Sequence, residues 1–222
     1  MRKIYTLGHS TFLPHQFLDG LAACEGRVLV MDVRSHPTSH LTHYQRHHFA
    51  QFVMQGGHFY QWVPSLGGWN ERHMDLVAEY ESVGVKVGMY MQGAFPKHYI
   101  ARERPALINL PSWTNQGLFD YSWYTTTDDF RQGLQWLAQL GGDEDANFDS
   151  VVYVCAEAVW WRCHRSMISD CLYYLGIDTY HILPRFRKDG TQTNDVKLHS
   201  DSIGNRLERY DKRILESWSE IL

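Results

Sequence analysis

The sequence predicts an α/β fold, a single three-layer domain built around a mostly parallel sheet. Short, uninterrupted apolar runs at residues 4–7, 28–31 and 151–154 are typical of strands that are covered on both faces. Segments with apolar residues at helical spacing lie between such runs. A chain that alternates strands with helices in this way favours a parallel sheet with helices on both faces.

The first strand–helix–strand unit is predicted within residues 4–31. Its helix begins at Pro14, carries Phe17 and Leu21 on one face and ends by Gly26. Crossovers between parallel strands of one sheet are right-handed. We therefore expect both strands to run parallel and to place their carboxyl ends at the same edge.

The rest of the chain continues this alternation, with two irregular stretches. Helices are expected before Gly56 and at residues 127–140, 166–175 and 207–222, and strands at 58–63, 151–154 and 177–183. The aromatic-rich residues 113–121 are predicted as an ordered loop. Residues 71–109 show little periodicity, which is typical of an insertion, although a helix is expected at 74–82. Residues 184–222 begin with a polar stretch and are interpreted as a C-terminal extension.

Length and composition favour a single α/β domain spanning residues 1–222. A 44% hydrophobic content supplies a core, and the formal net charge of −4 argues against nonspecific binding to nucleic acid. Neither a signal peptide nor a run long enough to span a membrane is expected, so the sequence predicts a cytoplasmic protein without a membrane partner. Four cysteines are too few for a disulfide scaffold and are expected to be thiols or ligands.

Three polar segments follow predicted parallel strands and should meet at one edge of the sheet. They are Gly8-His9-Ser10, Asp32-Val33-Arg34 and Cys155-Ala156-Glu157. Ligands of open α/β sheets bind in the crevice beyond the carboxyl ends of the strands. We therefore expect His9, Arg34, Glu157 and Arg165 to share one pocket.

The segment Cys163-His164-Arg165-Ser166 opens the helix predicted after the third of these strands. Free amides and the positive dipole at such a helix start favour an anion. The substrate-binding residues predicted for this crevice are Ser10, Arg34, His164, Arg165 and Ser166. The residues predicted to supply acid–base or nucleophilic chemistry are His9, Cys155, Glu157 and Cys163.

Each of these side chains also has a structural interpretation. A cysteine is commonly a buried structural thiol, His9 could simply hydrogen-bond a neighbouring loop, and Glu157 could form an ion pair with an arginine. Cys155, Cys163 and His164 could instead bind a metal, since thiolate and imidazole suit zinc or iron, although the spacing of the cysteines matches no standard finger. No nucleotide-cofactor motif is present, so the cofactor is left open.

At these residues the chain resembles domain of unknown function family 488 (DUF 488). The matching motifs are Tyr5-Thr6-Leu7-Gly8-His9-Ser10, Asp32-Val33-Arg34-Ser35, Leu66-Gly67-Gly68, Trp113-Thr114-Asn115 and the two cysteine segments. The resemblance implies a family but no activity. In this chain Trp160 and Trp161 lie between the cysteine segments, where the family pattern has a shorter and more polar stretch.

The end of the second strand and the position of Cys155 are also similar to rhodanese-like sulfurtransferases and cysteine phosphatases. This likeness favours a Rossmann-like or rhodanese-like topology. However, nine residues separate Cys155 from Arg165, too many for a phosphatase loop that wraps a single phosphate.

We expect an enzyme, a hydrolase or transferase, that binds an anionic, phosphate-bearing small molecule or nucleotide in the crevice. One alternative is the processing of a nucleic-acid base or damaged nucleotide, with aromatic side chains as the stacking surface. A second alternative is a noncatalytic module that binds a ligand or a metal. A binding module has no need of a thiolate, so the acidity of the thiols would separate these functions.

Overall fold

One six-stranded sheet organises the protein in a computed structural model that describes residues 2–68, 116–142 and 146–222. Its strands are β1 (Ile4–Gly8), β2 (Val28–Asp32), β3 (Phe59–Trp62), β4 (Ser150–Cys155), β5 (Thr179–Phe186) and β6 (Gln192–Leu198). Their order across the sheet is β3-β2-β4-β1-β5-β6. The first five run parallel, and β6 is antiparallel to β5.

Helices cover this sheet. They are α1 (Pro14–Leu21), α2 (Arg46–Gln55), α3 (Gln116–Tyr124), α4 (Asp128–Gly142), α5 (Arg165–Tyr174), α6 (Ser200–Ile203) and α7 (Lys212–Trp218). Within the part of the chain that the structure describes, none of the helices is both long and apolar enough to cross a membrane.

Two separate hydrophobic cores show that the domain has three layers. On one face of the sheet, Phe17 of α1 and Phe49 of α2 pack in a cluster with Val152 of β4. On the other face, Leu134 of α4 packs in a cluster with Tyr153, the next residue of β4. Successive strand residues point to opposite faces, so the uninterrupted apolar run of β4 is buried on both sides. The predicted three-layer α/β fold is confirmed.

The chain changes direction between β1 and β4, which are adjacent and parallel. From β1 the chain passes through α1 to β2 on one side, and from β4 it passes through α5 to β5 on the other. A reversal of this kind leaves a crevice beyond the carboxyl ends of the two strands. The crevice is therefore expected where Gly8 and Cys155 end their strands.

Three predicted segments differ from the structure. Residues 116–121 belong to helix α3 and not to a loop, because Tyr121 and Tyr124 pack on one face of a helix and donate hydrogen bonds to the carbonyls of Leu66 and Ser65. The polar stretch after Pro184 forms β6, an edge strand with partly exposed side chains. The helix expected at 207–222 is a turn at Arg206–Arg209 followed by α7. The predicted insertion at 71–109, the helix at 74–82 and residues 113–115 lie outside the described residues.

A buried carboxylate on α5 attaches the C-terminal segment to the domain. Asp170 is fully buried and accepts hydrogen bonds from His199 Nε2 at 3.0 Å, from both Nε and Nη2 of Arg206 at 2.8 Å and from the Tyr210 hydroxyl at 2.5 Å. Burial alone would raise the pKa of Asp170, but the bonds from His199 and Arg206 outweigh it and the pKa is lowered. Asp170 is therefore an anion held by groups from the last quarter of the chain.

We expect Asp170→Ala to lower the free energy of unfolding by about 3–5 kcal/mol, because it leaves the partly buried Arg206 cation without its carboxylate partner. Asp201→Ala, which removes an exposed carboxylate, should change stability by less than about 0.5 kcal/mol. Chemical denaturation at neutral pH measures both. Because the folded pKa of Asp170 is depressed, the contribution of this residue should be lost only as pH falls below the ordinary aspartate range near about 4. Equal denaturation midpoints for Asp170→Ala and Asp201→Ala would contradict the stabilising role of Asp170.

Candidate active site

The hydrogen-bond ladder between β1 and β4 continues past the ends of both strands. The His9 amide donates to the carbonyl of Cys155 at 3.0 Å, and the Ser10 amide donates to that of Ala156 at 2.9 Å. Ser10 has a φ of 44°, a left-handed conformation that is uncommon for a residue with a side chain. The backbone thus holds Ser10, which is half-buried, against the loop that leads to Cys163.

Arg34 is buried beside an anion from its own segment. Asp32 accepts from Arg34 Nε at 2.8 Å and from Nη2 at 2.6 Å, and neither side chain is more than 5% exposed. Arg34 Nη1 also donates to the carbonyl of Tyr44 at 2.9 Å, and Tyr60 donates its hydroxyl to Asp32 at 2.7 Å. The Arg34 charge is therefore neutralised within the fold.

His9 lies against this arginine with both ring nitrogens occupied. Its Nε2 is 3.3 Å from Arg34 Nη1 and must accept, since a guanidinium only donates, so Nδ1 donates to the carbonyl of Ser10 at 3.1 Å. The ring stacks on Tyr44 at a centroid distance of 3.8 Å. Burial, with the charge of Arg34, lowers the pKa of His9 to about 3. The imidazole is neutral, and the acid–base role expected from the sequence stays a prediction.

Arg165 is also buried, but its contacts are neutral groups. With 1% of its surface exposed, it donates from Nη1 to Thr6 Oγ1 at 3.1 Å and from Nη2 to the carbonyl of Glu157 at 2.5 Å. Among the residues that the structure describes, no carboxylate forms an ion pair with Arg165, and its Nε has no hydrogen-bond partner. A buried cation in this state requires compensation by an anion.

Two cysteines and a histidine meet next to this arginine. The sulfur atoms of Cys155 and Cys163 and Nδ1 of His164 all lie within 4.8 Å of one another, and we call these three residues the sulfur centre. His164 Nδ1 is 3.6 Å from Cys163 Sγ and 3.9 Å from Cys155 Sγ. His164 Nε2 is 3.1 Å from the carbonyl of Val33, which can only accept, so Nε2 carries a hydrogen. In the neutral ring, Nδ1 therefore presents a lone pair to the sulfurs.

The two thiols of the sulfur centre differ in acidity. Burial would raise the pKa of Cys163, but the hydrogen bond from the Cys155 thiol and the charges of His164 and Arg165 outweigh burial and lower it well below the usual range. The hydrogen bond to Cys163, together with burial, raises the pKa of Cys155 well above that range. Cys163 is therefore the more acidic thiol of the pair, and Cys155 is the less acidic one.

The sulfur centre also has the donor set of a metal site. Two thiolates and an imidazole suit zinc or iron, and a histidine that binds a metal usually donates its other ring N–H to a carbonyl or carboxylate, as His164 does to Val33. The metal site that the sequence offered as an alternative thus has its three ligand atoms together, and it stays a prediction.

The structure divides the predicted site residues into two neighbouring groups at one edge of the sheet. Cys155, Cys163, His164 and Arg165 form one group, and His9 with Arg34 forms the other. The Glu157 side chain is exposed beside the first group, and Ser166 is buried with a hydroxyl that has no partner in the described residues.

Several contributors to this site were not predicted from the sequence. Thr6 Oγ1 and the Val33 carbonyl orient Arg165 and His164, and the Tyr121 ring lies 5.0 Å from that of His164. Asp32 was part of a predicted segment but was given no role. Its spacing of two residues from Arg34 was a usable signal, because such a spacing lets a carboxylate and a guanidinium pair at a strand end.

A family model for DUF488, a domain of unknown function, matches residues 101–172. The predicted family resemblance is confirmed. The DUF488 match includes the whole sulfur centre and most of α5, whereas Gly8-His9-Ser10 and Asp32-Val33-Arg34 lie outside it. No curated protein and no solved structure matches the chain.

The loop after β4 approaches β1 so closely at Gly8 that the strand ends in glycine. A Cβ at this position would lie 1.8 Å from the carbonyl oxygen of Glu157 and 2.7 Å from Arg165 Nη2. Any side chain would therefore collide with the Arg165–Glu157 hydrogen bond.

We expect Gly8→Ala to destabilise the fold by about 1–3 kcal/mol or more, because a backbone carbonyl has to move, and to change the reactivity of Cys163. Gly142→Ala, at the end of α4, is the matched control, because a Cβ there meets nothing within 4 Å. Thermal melts and thiol alkylation of both variants provide the measurement. If Gly8→Ala behaves like Gly142→Ala, the close approach of loop and strand is not a constraint.

Proposed function

We propose that this protein is an enzyme in which the Cys163 thiolate is the nucleophile and His164 is its acid–base partner. The observation that carries the proposal is the contact between Cys163 Sγ and His164 Nδ1 at 3.6 Å, with the other side of the imidazole fixed by the Val33 carbonyl. A nucleophile beside a base that a third group orients is the arrangement on which covalent catalysis depends.

The charge of Arg165 supports the same assignment. The described residues give this buried guanidinium no carboxylate partner, and an uncompensated buried cation costs several kcal/mol. A thiolate at Cys163 supplies the missing negative charge, since Arg165 and His164 both lower the pKa of that thiol. The fold thus stabilises the reactive form of the cysteine and is stabilised by it.

The position of the sulfur centre in the sheet supports the proposal of a small-molecule substrate. The sulfur centre lies beyond the carboxyl ends of β1 and β4, where the chain reverses its direction across the sheet. A thiolate there attacks an electrophilic centre and forms a covalent intermediate, as a hydrolase or transferase requires. The exposed carboxylate of Glu157 stands beside the loop and is available to move protons.

An anionic, phosphate-bearing molecule or nucleotide remains the proposed ligand class. Arg34 contributes little to it because Asp32 already neutralises that arginine. Arg165 and the positive end of the α5 dipole would attract an anion, although the amides of Ser166 and Met167 already donate to the carbonyls of Cys163 and His164. The proposed compartment is the cytoplasm, where the four cysteines, all free in the structure, stay reduced.

Processing of a nucleic-acid base and noncatalytic binding remain the alternatives from the sequence. Neither requires an acidic thiol, so the reactivity of Cys163 separates them from the proposed function.

We expect Cys163 to react with iodoacetamide at a pH below the usual cysteine range near ~8.5, because its neighbours stabilise the thiolate. Arg165→Gln, which removes the cation, should slow the reaction near neutral pH by roughly tenfold or more, whereas Arg165→Lys, which keeps it, should slow the reaction less. Time courses over about pH 5–9, resolved by peptide mass spectrometry, measure each cysteine separately.

Cys171 is the internal control, because it is fully buried on α5 and burial raises its pKa well above the usual range. It should stay unmodified while the protein is folded, which circular dichroism verifies for each variant. A Cys163 rate that rises only near ~8.5 and does not respond to either Arg165 variant would contradict the thiolate and the enzyme with it.

A further inference from the structure

We propose a further activity of the sulfur centre, a dithiol–disulfide cycle in which Cys163 is oxidised by a small hydroperoxide and Cys155 is the resolving thiol. This inference rests on the proposed nucleophile Cys163 and assigns a separate role to Cys155. It concerns a reaction between the two sulfurs that the function proposed above does not require.

The first support is the distance between the sulfurs. Cys155 Sγ and Cys163 Sγ lie within 4.8 Å, and a disulfide needs about 2 Å, so a shift of less than about 3 Å joins them. Cys155 ends β4 and is fixed by the backbone ladder to His9, whereas Cys163 lies in the loop between a short turn and α5. The loop is therefore the part expected to move.

The second support is the position of His164 between the two sulfurs. Its Nδ1 is 3.6 Å from Cys163 Sγ and 3.9 Å from Cys155 Sγ, so one base reaches both. A single imidazole serves both steps of a cycle when it first supports the thiolate that attacks and then takes the proton of the thiol that resolves.

The third support is limited access. Cys163 is 3% exposed and Cys155 is 8% exposed, which favours small oxidants over bulky disulfides. Neither Cys24 nor Cys171 belongs to the sulfur centre, so neither has a second cysteine and an imidazole beside it there. These two residues are therefore matched controls within the same chain.

The chemistry balances in three steps. The Cys163 thiolate, whose proton has passed to His164, attacks the terminal oxygen of a hydroperoxide, the O–O bond breaks, and the leaving alkoxide or hydroxide takes that proton from His164 to become an alcohol or water. Cys163 is now a sulfenic acid. The Cys155 thiol gives its proton to His164 and attacks the Cys163 sulfur, and hydroxide leaves with that proton as water. The two sulfurs have then lost the two electrons that reduced the peroxide, and a dithiol reductant regenerates both thiols by exchange.

The test treats the reduced full chain with equimolar hydrogen peroxide and maps the products by mass spectrometry of non-reduced peptides. The expected product is a peptide pair linked through Cys155 and Cys163, with two of the four thiols lost and both restored by dithiothreitol. In Cys155→Ser, Cys163 should stop at a sulfenic acid that dimedone traps. Cys171→Ser should form the linked pair as the wild type does. Cys155→Ala provides a second resolving-thiol variant if the serine variant does not fold.

Three results would overturn the inference. These are oxidation of wild-type Cys163 to a sulfinic acid without a disulfide, a disulfide that involves Cys24 or Cys171, and a stoichiometric bound metal that protects both thiols from peroxide. The rate at which Cys163 reacts with iodoacetamide distinguishes a failure of this inference from a failure of the proposed function. If Cys163 is acidic but forms no disulfide, the resolving role of Cys155 is lost and the nucleophile remains. If Cys163 is neither acidic nor oxidised, both proposals fail.

Discussion

The parallel pairing of β1 with β4, extended by two backbone hydrogen bonds beyond the strands, is the constraint on which the site depends. It places His9 and Ser10 against the carbonyls of Cys155 and Ala156. The absence of a side chain at Gly8 lets the Glu157 carbonyl approach β1, and Arg165 spans the gap by binding both Thr6 and that carbonyl. Strand pairing, a glycine and one guanidinium thus fix the first part of the loop between the two cysteines.

Two buried arginines at this edge have different electrostatic surroundings. Arg34 is matched by Asp32, receives a second fixed contact from Tyr44 and is thereby a structural ion pair. Arg165 has neutral partners among the described residues, and its charge acts on the sulfur centre. This difference is why we assign the proposed chemistry to the cysteines next to Arg165, although His9 and Arg34 lie at the same edge. An arginine that is already paired with a carboxylate has little charge left to attract a substrate, whereas an arginine without a carboxylate partner lowers the pKa of neighbouring acidic groups.

Much of the fold followed from the sequence, because buried parallel strands leave a clear signal. The runs at β1, β2 and β4 are apolar throughout, and the helix starts at Pro14 and Asp128 have recognisable residues. Strand β6 was missed because an edge strand with solvated side chains has the composition of a loop. For the site, the predicted topology identified the sheet edge that the site residues share, but it did not identify the hydrogen-bond partners of each residue. That Asp32 neutralises Arg34, and that Cys155 and Cys163, eight positions apart, face one imidazole, depends on the path of the loop, which periodicity does not encode.

The buried carboxylate of Asp170 also has a consequence for the order in which the chain becomes native during synthesis. Helix α5 begins at the sulfur centre and carries Asp170, whose partners His199, Arg206 and Tyr210 are made later. A nascent chain that ends before these residues would have to bury the carboxylate alone, which is unfavourable by several kcal/mol. The helix that positions Arg165 is therefore expected to dock firmly only after residue 210 has left the ribosome. Until then helix α5 and the loop that carries Cys163 are expected to be incompletely packed, and the completed C-terminal segment fixes the helix through Asp170.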